Sequence, residues 1–170
     1  ASSFRMPIQR VSRYDSDFRR FAGQIACGAV RPGDTVKVLP AGNIARIARI
    51  VTLDGDLPQA SVGQSVTMTL DRELDAGRGC VLASADDPPE VADQLEATII
   101  WTGDEPMLPG RPYWLKIGTK TCSASVAKIK HELNVENLEH RAARAFQTNA
   151  IGVCSVILDQ DVVFEAYAKN

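Results

Sequence analysis

Few residues in this chain could carry chemistry. The histidines are His131 and His140, and the four cysteines, Cys27, Cys80, Cys122 and Cys154, form no CxxC pair. A thiol or hydroxyl nucleophile needs a base within hydrogen-bond reach and a third group to orient that base. These positions support no Ser-His-Asp or Cys-His arrangement. Glu132 and Glu136 with the histidines would mix hard and softer ligands on a loop, a weak pattern for a metal. The scattered cysteines lack zinc spacing and read as small buried strand residues, their reduced thiols suiting a cytosolic compartment. The sequence holds no GxxxxGK[ST], so it offers no loop of backbone N–H groups with an adjacent lysine to cradle phosphates. Gly33-Asp34-Thr35-Val36-Lys37 is a turn entering a strand. No catalytic, cofactor-binding or metal-binding residue is assigned.

What remains is recognition. Arginine is dense near the N-terminal end, at Arg5, Arg10, Arg13, Arg19 and Arg20, with Phe18 and Phe21 interleaved with the last two. Such a cluster reads as a solvated strand face, as phosphate contacts with stacking rings, or as a protein interface of arginine beside aromatics. Nineteen basic against 21 acidic residues leave a net charge of −2, without the basic excess of a nucleic-acid surface. Nucleic acid is thereby disfavoured, and protein is the preferred functional reading. His131, in Lys130-His131-Glu132 at a strand end, reads as a surface or inter-domain hydrogen-bonder. The candidate partner-binding residues are Arg10, Arg13, Phe18, Arg19, Arg20, Phe21 and His131.

The elements that would position them are strands. Residues 4–13 alternate, with Phe4, Met6 and Ile8 against Arg5 and Gln9, and Pro7 marks an edge or a strand start. Residues 25–29 and 36–38 alternate about Arg31-Pro32-Gly33-Asp34, a type II turn that predicts a β-hairpin. Ala41-Gly42-Asn43 reverses the chain. Residues 44–53 predict a bulged strand ended by Asp54-Gly55-Asp56. In residues 64–70, Val66, Met68 and Leu70 oppose Ser65, Thr67 and Thr69, and residues 77–84 give a short closing strand. Spacing and turns predict a small antiparallel barrel over residues 1–84, with SADDPPE supplying a stiff linker at 85–90.

A second barrel is predicted over residues 91–170. Leu95, Ala97, Ile99 and Trp101 alternate, as do Tyr113, Leu115 and Ile117, and residues 122–132 form a strand with an offset between Val126 and Ile129. Residues 136–146 place Leu138, Ala142, Ala145 and Phe146 at helical spacing. Strands at 151–158 and 162–164 flank Asp159-Gln160-Asp161 as a turn. No apolar run approaches a membrane span, and ASSFRMPIQR has no signal-peptide core. The fold class is all-β, two consecutive small antiparallel barrels.

The order of these phrases resembles a known family. FRMPIQRVSR, RRFAGQIACGAVRPGDTVKVLPAG, RIVTLDGDLPQASVGQSVTMTL and GRGCVLASADDPP resemble the second domain of translation-factor-type GTPases. The stretch from WTGDEPMLPGRPYWLKIGTKT through TNAIGVCSVILDQDVVFEAYAKN resembles the third. IVTLDGDL, KIGTKT and IKHELNVENLEH are similar to the GTPase subunit of bacterial sulfate adenylyltransferase, including its kinase-fused and nodulation-protein forms. Arg20 stands where that family has glycine, which removes the expectation of a tight turn there, and Cys27 stands where it has serine. The family has mainly loop at 136–146.

The resemblance implies a fragment of a regulatory subunit whose GTP and magnesium belong to a domain outside it. The second barrel would lack its last strand. Its partners would be the small catalytic subunit and the parent's own GTPase domain, in the cytoplasm, with no membrane. The parent couples GTP hydrolysis to the formation of adenylylsulfate from ATP and sulfate, and this segment has no catalysis of its own. The alternative is a tRNA-binding barrel of an elongation-factor-type GTPase.

Overall fold

A computed structural model describes residues 3–13, 19–134 and 136–169. The chain divides into two compact units: Ala1–Val91 with Lys116–Lys120 and Val162–Asn170, and Ala92–Leu115 with Thr121–Asp161. The described residues hold strands and a 3-10 turn at Tyr167–Lys169, with no α-helix. In chain order the strands are β1 (Arg5–Pro7), β2 (Arg10–Ser12), β3 (Arg20–Gln24), β4 (Ala29–Val30), β5 (Thr35–Leu39), β6 (Asn43–Thr52), β7 (Gly55–Asp56) and β8 (Ala60–Ser61). There follow β9 (Ser65–Leu70), β10 (Val81–Ser84), β11 (Glu90–Ile100), β12 (Pro112–Ile117), β13 (Lys120–Leu133), β14 (His140–Arg141) and β15 (Ile151–Phe164).

In the first unit the sheet runs β1-β10-β5-β6-β9-β3-β2, with β7 on β6 and a separate pair β4-β8. The ladder is not closed end to end, but Arg5 N–H donates to Cys27 O at 3.1 Å and Ala26 N–H to Arg5 O at 2.9 Å. These bonds set β1 against the chain that follows β3. The inward set is Met6, Ile8, Phe21, Val36, Val38, Ile47, Ile50, Val66, Met68, Leu70 and Leu82, all buried. Burial of each such large side chain contributes about 1.5–3 kcal/mol. The expected register of β9 holds, since Val66, Met68 and Leu70 are buried and Ser65 is exposed. The bulge expected in β6 falls between Ile47 and Arg49.

The expected hairpin about Pro32-Gly33 does not form. The turn is present, with Gly33 at φ 94° and Asp34 N–H bonded to Arg31 O at 3.1 Å. Its flanking strands nevertheless choose other partners, β4 taking β8 and β5 lying between β10 and β6. The turn is held by β6 instead: Gly33 N–H donates to Ile47 O and Ile47 N–H to Asp34 O. Local turn chemistry fixes a reversal, whereas pairing is set by which apolar faces can share a core. Cys27 is accordingly only half-buried, and Ala29 is exposed.

In the second unit the sheet order is β11-β15-β13-β12, with β14 on β13. The offset between Val126 and Ile129 is a register shift, between Val126 and Lys128, in the β13–β15 ladder. Cys122, Ala124, Val126, Cys154, Val156 and Leu158 are buried. Met107 and Phe146 cover one end through a mutual backbone bridge. Two expectations fail here. Residues 136–146 are not helical: they carry β14, Leu138 is exposed at φ 58°, and Phe146 is buried and bridged to Met107. Residues 159–161 do not turn, because β15 runs unbroken to Phe164. Asp159 instead spans to the neighbouring strand, its Oδ1 accepting the Ser123 N–H at 2.9 Å.

Candidate functional site

The outer face of the first unit's sheet carries the candidate arginines. A single row of cross-strand neighbours runs Arg10, Ala22, Thr67, Val51 over β2, β3, β9 and β6. The next row sets Ser12 opposite Arg20, and Arg20 opposite Thr69. Side chains two apart on a strand share a face, so small groups (Ala22, Ser65, Thr67) line the middle of this surface. Longer ones stand on either side. The consequence is a cleft of about 650 Å³, walled by Gln9, Arg10 and Arg20 on one side and by Val51 and Leu53 on the other. Leu53, at the β6–β7 turn, is fully exposed.

The seven candidates separate on this surface. Arg10 and Arg20 line the cleft together. Arg13 and Arg19 are held elsewhere: Arg13 pairs with Glu73, and Arg19 with both Glu73 and Asp75. Arg19 Nη1 also donates to Leu74 O at 3.2 Å, and Glu73 Oε2 accepts the Arg19 N–H at 3.2 Å. The hydrogen bond from Arg19 holds the Asp75 carboxyl below its ordinary value and pushes the guanidinium's up. These exposed pairs clamp the loop after β9 to the start of β3.

Phe21 is not on the surface. It is 1% exposed, in the core, because a strand that points Arg20 and Ala22 outward must point Phe21 inward. Phe18 lies outside the described residues. His131 belongs to the second unit, where its ring stacks on His140 with centroids 3.8 Å apart and planes 7° apart. The pair closes the hairpin in which Leu133 faces His140 and Glu132 faces Arg141.

Sequence reading missed Val51, Leu53, Ser65 and Thr67 as cleft residues. The outward parity of Ser65 and Thr67 was visible in the alternation, but their adjacency to Arg10 and Arg20 depends on sheet order. Among the described residues no group of three or more His, Cys, Asp and Glu side chains is placed to hold a metal ion. None of the four cysteines is in a disulfide, and burial pushes the Cys27 and Cys154 thiols up, away from the reactive thiolate. The cleft offers hydrogen-bond donors, positive charge and aliphatic surface. That equipment serves binding.

Comparison with known proteins extends this. A family model described as GTP-eEF1A C-terminal domain-like matches residues 94–170. Over its whole length the chain is 47% identical to the bifunctional enzyme CysN/CysC of Xylella fastidiosa, and 43% identical to sulfate adenylyltransferase subunit 1 of Photobacterium profundum. Over its whole length the chain is thus similar to part of sulfate adenylyltransferase subunit 1 and of its bifunctional forms. It spans 27% of the first of these relatives and 36% of the second. A further relative is the bifunctional enzyme NodQ of Rhizobium sp., 42% identical over 98% of this chain and 26% of that protein.

Among solved structures, Sup35 complexed with GDP superposes with a TM-score of 0.85 at 19% identity, over 98% of this chain and 41% of that one. The apo elongation factor SelB of Methanococcus maripaludis gives 0.76 at 23% identity, over 96% and 37%. At these identities the likeness is one of fold, the all-β domains of translation-factor GTPases. No helix among the described residues is long and apolar enough to cross a membrane.

Proposed function

We propose that this chain is the non-catalytic β segment of the GTP-dependent regulatory subunit of a sulfate adenylyltransferase. It would couple the state of a nucleotide-binding domain to a small catalytic subunit in the cytoplasm. The observation that carries this reading is identity of 42–47%, along essentially the whole chain, to sulfate adenylyltransferase subunit 1 and its bifunctional relatives. The parent's reaction joins the α-phosphoryl group of ATP to a sulfate oxygen and releases pyrophosphate. The sequence has no phosphate-cradling lysine loop. GTP and magnesium would be held outside it. Residues 1–84 and 91–170 would act as its two domains, with 85–90 between them.

The test uses the full-length protein that contains this chain, together with the purified small subunit. Expected are a stable complex of the two and adenylylsulfate formation that rises on addition of GTP. The 170-residue chain alone should leave GTP unhydrolysed. Absence of a complex, together with tight tRNA binding that weakens steeply with salt, would overturn the reading in favour of a translation module.

A further inference from the structure

We infer that the cleft walled by Arg10, Arg20 and Leu53 is a docking groove for an extended protein segment carrying a carboxylate flanked by aliphatic side chains. The inference rests on the function proposed above for the identity of the partner, the small catalytic subunit. The groove itself is argued from its own chemistry.

Its shape follows from side-chain size across four strands. Ala22, Ser65 and Thr67 are too short to fill the space between the arginine wall and the Val51–Leu53 wall, so an elongated trough remains. A volume of about 650 Å³ accommodates a few side chains of a bound strand. The trough is edged by β2, the terminal strand of the sheet. A terminal strand presents backbone donors and acceptors to an incoming chain, the mode in which an extended peptide adds to a sheet.

Charge selects the occupant. Among the described residues the lining contains no carboxylate, and Arg10 supplies the charge open to an occupant. Arg10 is exposed and makes no ion pair with any described residue, unlike Arg13, Arg19 and Arg49, each of which is paired with an acid. A planar guanidinium beside open space is complementary to a carboxylate, which it engages through two parallel hydrogen bonds. The opposite wall adds a fully exposed leucine beside Val51, and a large apolar side chain held wholly in water gains by being covered. An acidic residue with aliphatic neighbours satisfies both walls at once.

Single-stranded nucleic acid fits less well. Its bases need aromatic faces to stack on, and among the described residues the lining has none.

The experiment measures binding of the purified small subunit to the full-length protein by calorimetry, for the parent and three variants. Arg10→Glu and Leu53→Asp should each weaken binding at least tenfold. Lys128→Glu, the same charge change at an exposed site on the second unit, should leave it within twofold. Both groove positions are exposed, so unchanged melting temperatures are expected and separate lost docking from lost folding. Undiminished binding by both groove variants, with the parent binding normally, removes the groove and leaves the proposed function intact. If the parent itself fails to bind, the proposed function falls, and the groove's partner with it. A single-stranded RNA whose binding is abolished by Arg10→Glu would assign the cleft to nucleic acid and overturn the inference.

Discussion

Arg5 and Glu165, far apart in sequence, form a largely buried ion pair within the first unit. Arg5 Nη2 and Nε lie 2.7 and 2.8 Å from Glu165 Oε1, while Nη1 donates to Phe4 O at 2.9 Å. The Arg5 side chain is 9% exposed and that of Glu165 27%. Asp87, 3.6 Å from Nη2, adds a weaker exposed contact. Removing one member of such a pair leaves the other's charge poorly solvated and its hydrogen bonds unmade. Arg5→Met is expected to cost about 3 kcal/mol, the low end for broken buried pairs because Glu165 keeps partial contact with water. Arg5→Lys should recover only part of this, since a point charge cannot reproduce the fork. Denaturant unfolding at neutral pH checks both, and a midpoint unchanged in Arg5→Met would show the pair to be dispensable.

Val66 and Thr67 test the register of β9. Val66 is 4% exposed, in the first unit's core, whereas Thr67 faces the cleft. Val66→Asp would bury an unpaired carboxylate and should cost about 3–5 kcal/mol. Thr67→Asp should change stability by less than about 0.5 kcal/mol, as surface substitutions commonly do. Thermal melts of the two variants must differ in this order for the register to stand.

Acid should erode stability in a defined window. Asp56, Asp71 and Asp75 sit below their ordinary value of 3.8, held there chiefly by hydrogen bonds from Arg49, the Arg46 backbone N–H and Arg19 respectively. A carboxyl whose folded pKa is depressed contributes stability that is present above its unfolded value. That contribution is lost as pH falls through the folded value. The unfolding midpoint should therefore be flat above about pH 5 and decline below the ordinary 3.8. Asp71→Asn keeps an acceptor for the Arg46 N–H but cannot titrate. It should flatten part of the acid limb by giving up Asp71's contribution at neutral pH. Urea titrations at several pH values read this directly.

Gly152 should tolerate no side chain. A Cβ there would lie 2.4 Å from His131 O and 2.3 Å from Phe146 Cζ, between β13's backbone and a fully buried ring. The backbone oxygen cannot yield without breaking the β13–β15 ladder, in which Gly152 faces Glu132. Gly152→Ala is expected to destabilise the second unit by roughly 1–3 kcal/mol, the range for overpacked cores. Gly110→Ala is the spatial control: nothing stands within 4 Å of its Cβ, and only its φ of 79° opposes substitution. Hydrogen exchange at β13 amides should accelerate more in the first variant than in the second.

Most strands were legible because their alternation is a one-dimensional code. Val66, Met68 and Leu70 fall inside and Ser65 outside by parity alone, and the β-branched run ending at Thr52 announces a bulged strand. Errors arose where a local pattern had two meanings. Leu138, Ala142, Ala145 and Phe146 carry a helical spacing, yet Phe146 is buried and its backbone bridges to Met107, a residue no helix period connects to it. Asp159-Gln160-Asp161 has turn composition, but the Ser123 N–H takes the Asp159 carboxylate and the strand continues. Phe18 and Phe21 beside arginines read as an interface from composition. Strand parity sends Phe21 into the core.

The sequence by itself determined that the fold is all-β, which residues of strands such as β9 face inward, and, through phrases such as IVTLDGDL and KIGTKT, which proteins it resembles. Tertiary structure alone decided which strand lies beside which. β5 leaves β4, which precedes it in the chain, for β10 and β6, and β3 settles between β2 and β9. That order sets Arg10 opposite Ala22 and carries the row on to Val51, which opens the cleft. The physical reason is that alternation encodes only the direction of each side chain relative to its own strand. Neighbours across a sheet are selected by the joint burial of several faces, and no single segment contains that information.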